Sequence, residues 1–201
     1  MNVRQAKSAI MATGLAIVLT AGPAQAEPRD YVMDREHFAI GFLVHHMGLA
    51  DTLGMFLEAR GSFVYDSEAE SLSDVEIVVQ AASVFTNHEA RDDHLRGPDF
   101  LNVREYPTMT FTASEAERSG EDSGKLHGEL TLLGETRPLT LDVEYKGERR
   151  YFFGDEQMAM GISARGTVMR SDYGMAYALE QDMVGDEIEL IIEFEAILQE
   201  E

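Results

Sequence analysis

The chain has 201 residues, no cysteine and a formal net charge of −21, with 37 acidic against 16 basic side chains. The lack of cysteine excludes disulfide bonds, thiolate metal ligands and a cysteine nucleophile. The negative charge argues against a nucleic acid or a bare anionic membrane as the partner, because both attract Lys and Arg.

The first 26 residues have the layout of a secretory signal peptide. Arg4 and Lys7 give a positive start, residues 9–21 are largely apolar, and Ala24-Gln25-Ala26 is a small-residue cleavage site. The apolar run is too short for a comfortable membrane span, and no cysteine follows it that could carry a lipid. We therefore expect residues 27–201 to form one soluble domain outside the cytoplasm.

Alternation of apolar and polar side chains with a period of two dominates the rest of the chain and predicts strands. The expected strands cover residues 38–47, 52–64, 74–85, 108–114, 126–132, 139–145, 160–169 and 188–198, and residues 115–124 are expected to form a loop. Eight strands joined mostly by short turns predict an all-β fold, either an antiparallel barrel or a sandwich. An eight-stranded barrel either is filled by its own side chains or keeps one elongated cavity, and both alternatives stay open.

Residues 83–111 interrupt this pattern. Thr86 followed by Glu89 has the form of a capping box, which predicts a helix that begins at Asn87. Gly97-Pro98 is expected to end it. The all-β fold therefore carries a helical insertion between the third and fourth predicted strands.

On that helix Asn87, Arg91 and His94 stand at i, i+4 and i+7, so they share one face, which we expect to contact whatever the protein binds. The guanidinium of Arg91 could donate to the polar head of a mostly apolar ligand while its stem packs against an apolar wall. The other interpretation is structural, an ion pair along the helix or a salt bridge that holds the helix on the barrel. The periodicity of the sequence does not distinguish the ligand-binding role of Arg91 from the structural one.

The histidines do not predict a metal site. His45 and His46 are adjacent on a strand and point to opposite faces, and we expect His46 to face inward as a hydrogen-bonded core residue rather than a ligand. His88 and His94 are not at the spacing of a zinc-binding pair. The sequence contains no Gly-x-Ser-x-Gly nucleophile motif, and no carboxylate pair stands out. We expect no enzymatic activity, no metal and no cofactor.

Four segments resemble, in order, motifs of the YceI-like family of lipocalin-like, polyisoprenoid-binding periplasmic proteins. They are residues 42–48 (FLVHHMG), 86–111 (beginning TNHEARDDHLR), 130–141 (LTLLGETRPLTL) and 170–175 (RSDYGM). The resemblance implies an eight-stranded antiparallel lipocalin-like barrel with a helical insertion over one end. A long apolar channel would hold a polyprenyl chain or an isoprenoid quinone.

Carried onto this chain, the resemblance implies a ligand site made of residues from the first strand, the helical insertion and the strand after it. These residues are Phe42, Val44, His46, Met47, Asn87, Arg91, His94, Leu95, Phe100 and Phe111. The leading hypothesis is a periplasmic carrier or sequestering protein for an isoprenoid lipid. The alternative is a stress-response structural or interaction protein with a self-filled barrel and no stoichiometric ligand. Pairing into a homodimer through an exposed strand edge is left open.

Overall fold

The structure, a computed structural model, describes residues 27–181 and 183–200; the expected signal peptide lies outside the described residues. The strands are β1 (Arg29–His46), β2 (Ala50–Phe56), β3 (Ala59–Asp66), β4 (Ser71–Gln80), β5 (Val84–Phe85), β6 (Thr108–Arg118), β7 (Ser123–Leu132), β8 (Glu135–Arg150), β9 (Met158–Met169) and β10 (Val184–Leu198). The helix α1 (Glu89–Arg96) lies between β5 and β6. No helix in the described part of the chain combines the length and apolar character needed to cross a membrane.

Eight of the strands close into an antiparallel barrel, as predicted. The ring runs β1, β3, β4, β6, β7, β8, β9, β10, and β10 pairs again with β1. The closing pair extends from Tyr31 opposite Leu198 to His46 opposite Val184. Closure gives each ring strand a partner on both sides, although β1 and β3 pair over only four residues, 29–32 with 62–65.

The segment predicted as one strand over residues 52–64 consists of two strands. β2 pairs with the second half of β1, whereas β3 pairs with the first residues of β1 and with β4. Between them, the backbone N–H groups of Leu57 and Glu58 each donate to Ser83 Oγ at 3.1 Å instead of to a strand. β2 therefore lies beside the ring, with β5 on its other edge. The helical insertion follows β5 and lies between the third and fourth strands of the ring, β4 and β6, as predicted for the eight-stranded barrel.

The predicted start of the helix is wrong. Asn87 has a φ of 61°, in the left-handed region that Asn tolerates, and so cannot belong to a right-handed helix. The N-cap is His88, whose Nδ1 accepts from the backbone N–H of Arg91 at 3.2 Å, and the helix starts at Glu89. It ends before Gly97, as predicted.

Several strands extend beyond their predicted ends. β1 already begins at Arg29, and the predicted loop over residues 115–124 contains the end of β6 and the start of β7. The added residues are mostly exposed, so they carry little of the apolar alternation from which strands are predicted.

The antiparallel order gives the barrel two distinct ends. One end, called here the helix end, carries helix α1 and three connections: the turn between β1 and β2, the turn between β7 and β8, and the segment between β9 and β10. The opposite end, called here the termini end, carries Arg29, Leu198 and the turns between β3 and β4, between β6 and β7, and between β8 and β9. The inward side chains between the two ends form the candidate site.

Candidate functional site

An apolar cavity of about 240 Å³ lies inside the barrel. Every strand of the ring contributes to its wall, as do β2, β5, α1 and the segment after α1. Phenylalanine is prominent in the wall: Phe42, Phe56, Phe63, Phe100, Phe111 and Phe194. An apolar cavity of roughly 150 Å³ is enough to bind benzene. The interior is therefore not filled by its own side chains, which decides between the two alternatives left open by the strand pattern.

Several large side chains of the cavity wall lie directly over a glycine of the neighbouring strand. The pairs are Phe42 over Gly54, Ile77 over Gly61, Phe111 over Gly128 and Leu141 over Gly166. A Cβ atom at Gly54 would lie 2.2 Å from Phe42 Cζ, a distance at which one of the two groups must move. The glycines thus let these side chains lie flat against the wall and leave the middle of the barrel open.

Among the described residues, Arg170 is the one charged residue that lines this cavity. It begins a short 3₁₀ turn after β9, at the helix end, and only 1 % of it is exposed. Within the part of the chain that the structure describes, its guanidinium donates to four backbone carbonyls: Nε to Gly185 at 2.7 Å, Nη1 to Met175 at 2.7 Å, and Nη2 to Val184 at 2.8 Å and Tyr177 at 2.9 Å. These bonds join the turn to the chain that leads into β10.

The charge of Arg170 has no hydrogen-bonded carboxylate among the described residues. Burial lowers the pKa of the guanidinium, and the negative charge of Asp186 raises it in opposition. Asp186 itself accepts from the backbone N–H of Ser171 at 2.9 Å and from its hydroxyl at 2.7 Å. An arginine stays protonated in proteins, so a positive charge stabilised by carbonyl oxygens stands at one end of an apolar cavity.

Half of the predicted site residues line the cavity: Phe42, Val44, Leu95, Phe100 and Phe111. Phe42 and Val44 point inward from β1, and Phe111 points inward from β6. Leu95 is the residue through which α1 reaches the interior, and Phe100 follows the helix. The structure therefore brings the apolar part of the predicted site together.

The other half of the predicted site, four polar residues and Met47, lies outside the described cavity wall: His46, Met47, Asn87, Arg91 and His94. His46 is exposed rather than inward, because β1 ends there and its register against β10 shifts after Val44. Met47 and Asn87 are exposed as well, each in a left-handed backbone conformation.

Arg91 is exposed and bonds to the turn that precedes its own helix. Its Nε donates to Thr86 Oγ1 and its Nη2 to the Thr86 carbonyl, both at 2.7 Å. Thr86 in turn donates to the buried carboxylate of Asp92, from its backbone N–H at 2.8 Å and from its hydroxyl at 2.5 Å. These contacts favour the structural interpretation of Arg91, since they fix the start of α1.

His94 stands behind the cavity wall. Its ring packs edge-on against Phe100 and Tyr177, with both centroids at 5.0 Å, and its Nε2 hydrogen-bonds with Asp99 at 2.9 Å. Tyr177 also supplies a carbonyl to Arg170. His94 therefore connects α1 to the segment that surrounds Arg170 without reaching the cavity.

A second group of ionisable side chains lies on the outer face of the barrel. Asp34, His37 and Glu195 offer oxygen and nitrogen atoms within 4.8 Å of one another. His37 Nδ1 and Asp34 Oδ2 are 2.7 Å apart, and this hydrogen bond raises the pKa of His37. At Asp34, burial raises the pKa of the carboxyl group. The hydrogen bonds from His37 and from the backbone N–H of Glu36 outweigh this effect, so the pKa of Asp34 is lowered. An ordinary histidine–carboxylate pair accounts for the arrangement.

The sequence did contain a signal for Arg170. Ala164, Gly166, Val168 and Arg170 follow one another at period two, so Arg170 shares the inward face of β9. An arginine that continues an inward apolar series is therefore expected inside the barrel. The segment 170–175 was identified only as part of the family resemblance.

A closed eight-stranded antiparallel barrel around an apolar cavity defines a lipocalin-like binding fold. The YceI-like domain matches residues 31–196, and the chain belongs to this family. It is 33 % identical over 195 residues to the protein YceI of Escherichia coli, covering 96 % of this chain and 98 % of that protein. A UPF0312 protein of Pseudomonas paraeruginosa is 36 % identical over 193 residues, covering 95 % and 97 %.

Solved structures have the same fold. The YceI protein of Campylobacter jejuni is 30 % identical with a TM-score of 0.70, covering 78 % of this chain and 90 % of that one. A polyisoprenoid-binding domain of Saccharophagus degradans, implicated in plant cell wall breakdown, is 12 % identical with a TM-score of 0.62, covering 86 % and 100 %. The latter likeness concerns the fold alone.

Proposed function

We propose that this protein binds an isoprenoid lipid, a polyprenyl chain or an isoprenoid quinone, in its barrel and acts as a carrier or sequestering protein. The observation that carries the proposal is the cavity of about 240 Å³, whose described wall is apolar apart from Arg170. Burying apolar chain releases about 0.8 kcal/mol per CH₂ group, so tight binding needs few polar contacts. Membership of the YceI-like family and the name of the Saccharophagus degradans domain support the class of ligand.

The composition of the wall supports binding rather than catalysis. Its described residues include no Ser, Thr, His, Asp, Glu, Lys or Tyr side chain that could act as nucleophile, acid or base. The guanidinium of Arg170 keeps its protons, so its role is to donate hydrogen bonds. A ligand in this cavity would be held without chemical change.

We also propose a periplasmic location, which rests on the sequence of residues 1–26. Their removal would take away Arg4 and Lys7 and leave a net charge of −23 on the mature chain. Such a charge opposes direct docking to an anionic bilayer. Delivery of the lipid would then require a partner protein. Fractionation of cells together with N-terminal sequencing of the mature protein tests the location.

The binding proposal is tested on protein purified from its native host. Mass spectrometry of its lipid extract should find an isoprenoid lipid in stoichiometric amount, and adding menaquinone or a polyprenol to delipidated protein should raise its melting temperature. Protein with no such lipid that also fails to bind added quinones or polyprenols would overturn the proposal.

A matched pair of variants assigns the binding to the cavity. Ile192 lines the cavity, whereas its neighbour Ile191 alternates to the other face of β10. Ile192→Phe places extra volume inside the barrel and should reduce the amount of bound lipid severalfold, while Ile191→Phe should leave it unchanged. Equal lipid content in the two variants would place the ligand elsewhere.

A further inference from the structure

We propose that Arg170 binds the head group of the lipid and selects a head with a neutral carbonyl oxygen, as in an isoprenoid quinone or ketone. The inference rests on the proposed lipid-binding function and adds to it the position and chemistry of the head. The tail would then extend from the helix end toward Met33 and Phe63 near the termini end of the cavity.

The first argument is the number of donors on Arg170. A guanidinium has five N–H groups, and the four carbonyl bonds to Gly185, Met175, Tyr177 and Val184 use four of them. One N–H of Nη1 remains without an acceptor among the described residues. Because the side chain is 1 % exposed and lines the cavity, a ligand inside the barrel can supply this acceptor.

The second argument is the uncompensated charge. Among the described residues no carboxylate hydrogen-bonds with the guanidinium, and both oxygens of the Asp186 side chain accept from Ser171. In an apolar surrounding, a hydrogen bond from a charged donor is stronger than in water. An oxygen with partial negative charge is therefore favoured next to Arg170 over a plain hydrocarbon end.

The wall also excludes the more highly charged heads. A diphosphate carries several negative charges and many acceptor oxygens, yet the described wall offers one free N–H and is otherwise apolar. Burying such charges without partners costs far more than one bond returns. A carbonyl oxygen needs only the one donor, and it brings no hydrogen that requires an acceptor of its own.

The test uses the delipidated wild-type protein and a series of ligands with the same geranylgeranyl tail. The series contains a methyl ketone, the hydrocarbon in which CH₂ replaces the C=O group, and the diphosphate. We expect the ketone to bind about tenfold or more tightly than the hydrocarbon, the ratio for a hydrogen bond to a charged group, and also more tightly than the diphosphate. The infrared band of a ¹³C-labelled ketone carbonyl should move to lower wavenumber in the complex.

Each outcome of this series has one meaning. Failure of every ligand to bind would overturn the proposed function, and this inference with it. Equal affinity for ketone and hydrocarbon, with the carbonyl band where it lies in an apolar solvent, would overturn the inference alone. A diphosphate that binds as tightly as the ketone would do the same.

A pair of variants localises the effect. Arg170→Gln should abolish both the preference for the ketone and the band shift. Arg165→Gln removes an exposed arginine from the same strand, where it pairs with Glu193, and should keep both. Because Arg170 also donates hydrogen bonds to backbone carbonyls, circular dichroism has to show that the Arg170→Gln variant folds. If it does not fold, the affinities of the wild-type protein for the ligand series test the inference by themselves.

Discussion

Asp92 is the buried acidic residue of the described chain, with 5 % of its surface exposed. It accepts both the backbone N–H and the hydroxyl of Thr86, so removing its carboxylate leaves two buried donors without an acceptor. Asp92→Ala should therefore lower the free energy of unfolding by about 2 kcal/mol, measured by urea denaturation.

Asp93 provides the matched control at the next position. It is exposed and pairs with Arg96 at 3.0 Å, an arrangement that contributes less than about 1 kcal/mol at a protein surface. Asp93→Ala should therefore have little effect on the same denaturation curve. If the two variants were equally destabilised, the bonds between Asp92 and Thr86 would not hold the start of α1.

The charged residues show where prediction from the sequence stops. Arg91 has the spacing of a ligand-binding residue, but spacing does not reveal that its donors are satisfied by Thr86. Arg170 has the period of an inward residue, but the period does not reveal the backbone carbonyls that stabilise its buried charge. The apolar members Phe42, Val44 and Phe111 were predictable, because their inward orientation follows directly from strand alternation.

At the scale of the strands, the glycines opposite large side chains keep the cavity open. In Gly54→Ala the new Cβ atom would meet the ring of Phe42, and we expect the ring to be pushed off the wall into the cavity. We expect a loss of stability of about 1–3 kcal/mol from overpacking, together with weaker binding of long isoprenoids. Urea denaturation measures the first effect, and titration with a polyprenol the second.

Gly41 is a suitable control on the paired strand, since a Cβ atom there has its nearest neighbour, the Gly54 carbonyl oxygen, at 3.4 Å. Gly41→Ala should leave both stability and binding close to wild type. Unchanged lipid binding in Gly54→Ala would mean that the position of Phe42 does not limit the cavity.

The strands with one buried face were predictable, because burial imposes the period of two. The break between β2 and β3 was not, since it depends on Ser83, which is distant in sequence and bonds to Leu57 and Glu58. The start of α1 was missed for a related reason. A capping-box pattern does not reveal that Asn87 takes a left-handed conformation, and His88 then becomes the cap.

For the whole molecule, closure between β1 and β10 explains how an open interior is compatible with a stable fold. The barrel wall has its backbone bonds satisfied around the ring, so the cavity removes apolar contacts but no strand pairing. Dimer formation through a strand edge stays a prediction. Beside the ring, the outer edge of β2 pairs with β5 only at Met55 and Phe56, so residues 50–54 form an edge without a strand partner among the described residues.

The buried hydroxyl of Tyr31 makes the stability of this fold depend on pH in the alkaline range. Burial, and after it the hydrogen bond to the Glu148 carboxylate at 2.5 Å, raises the pKa of Tyr31 above the usual range. An unfolded chain loses this proton near pH 10, whereas the folded chain retains it. The contribution to stability is thus present below about pH 10 and is lost as the pH rises toward the folded-state pKa.

Tyr31→Phe should therefore flatten the fall in the free energy of unfolding between about pH 10 and 11, by up to about 1.4 kcal/mol per pH unit, measured by urea denaturation across that range. Near neutral pH the same variant should be less stable by about 1 kcal/mol, because the bond to Glu148 is lost. Tyr106→Phe is the control. The pKa of Tyr106 is raised chiefly by the charge of Glu105, its chain neighbour, which acts in the unfolded chain as well. Tyr106→Phe should leave the change of the free energy of unfolding between about pH 10 and 11 as it is in the wild type. If Tyr31→Phe also left it as in the wild type, Tyr31 would have the same pKa in the folded and the unfolded chain.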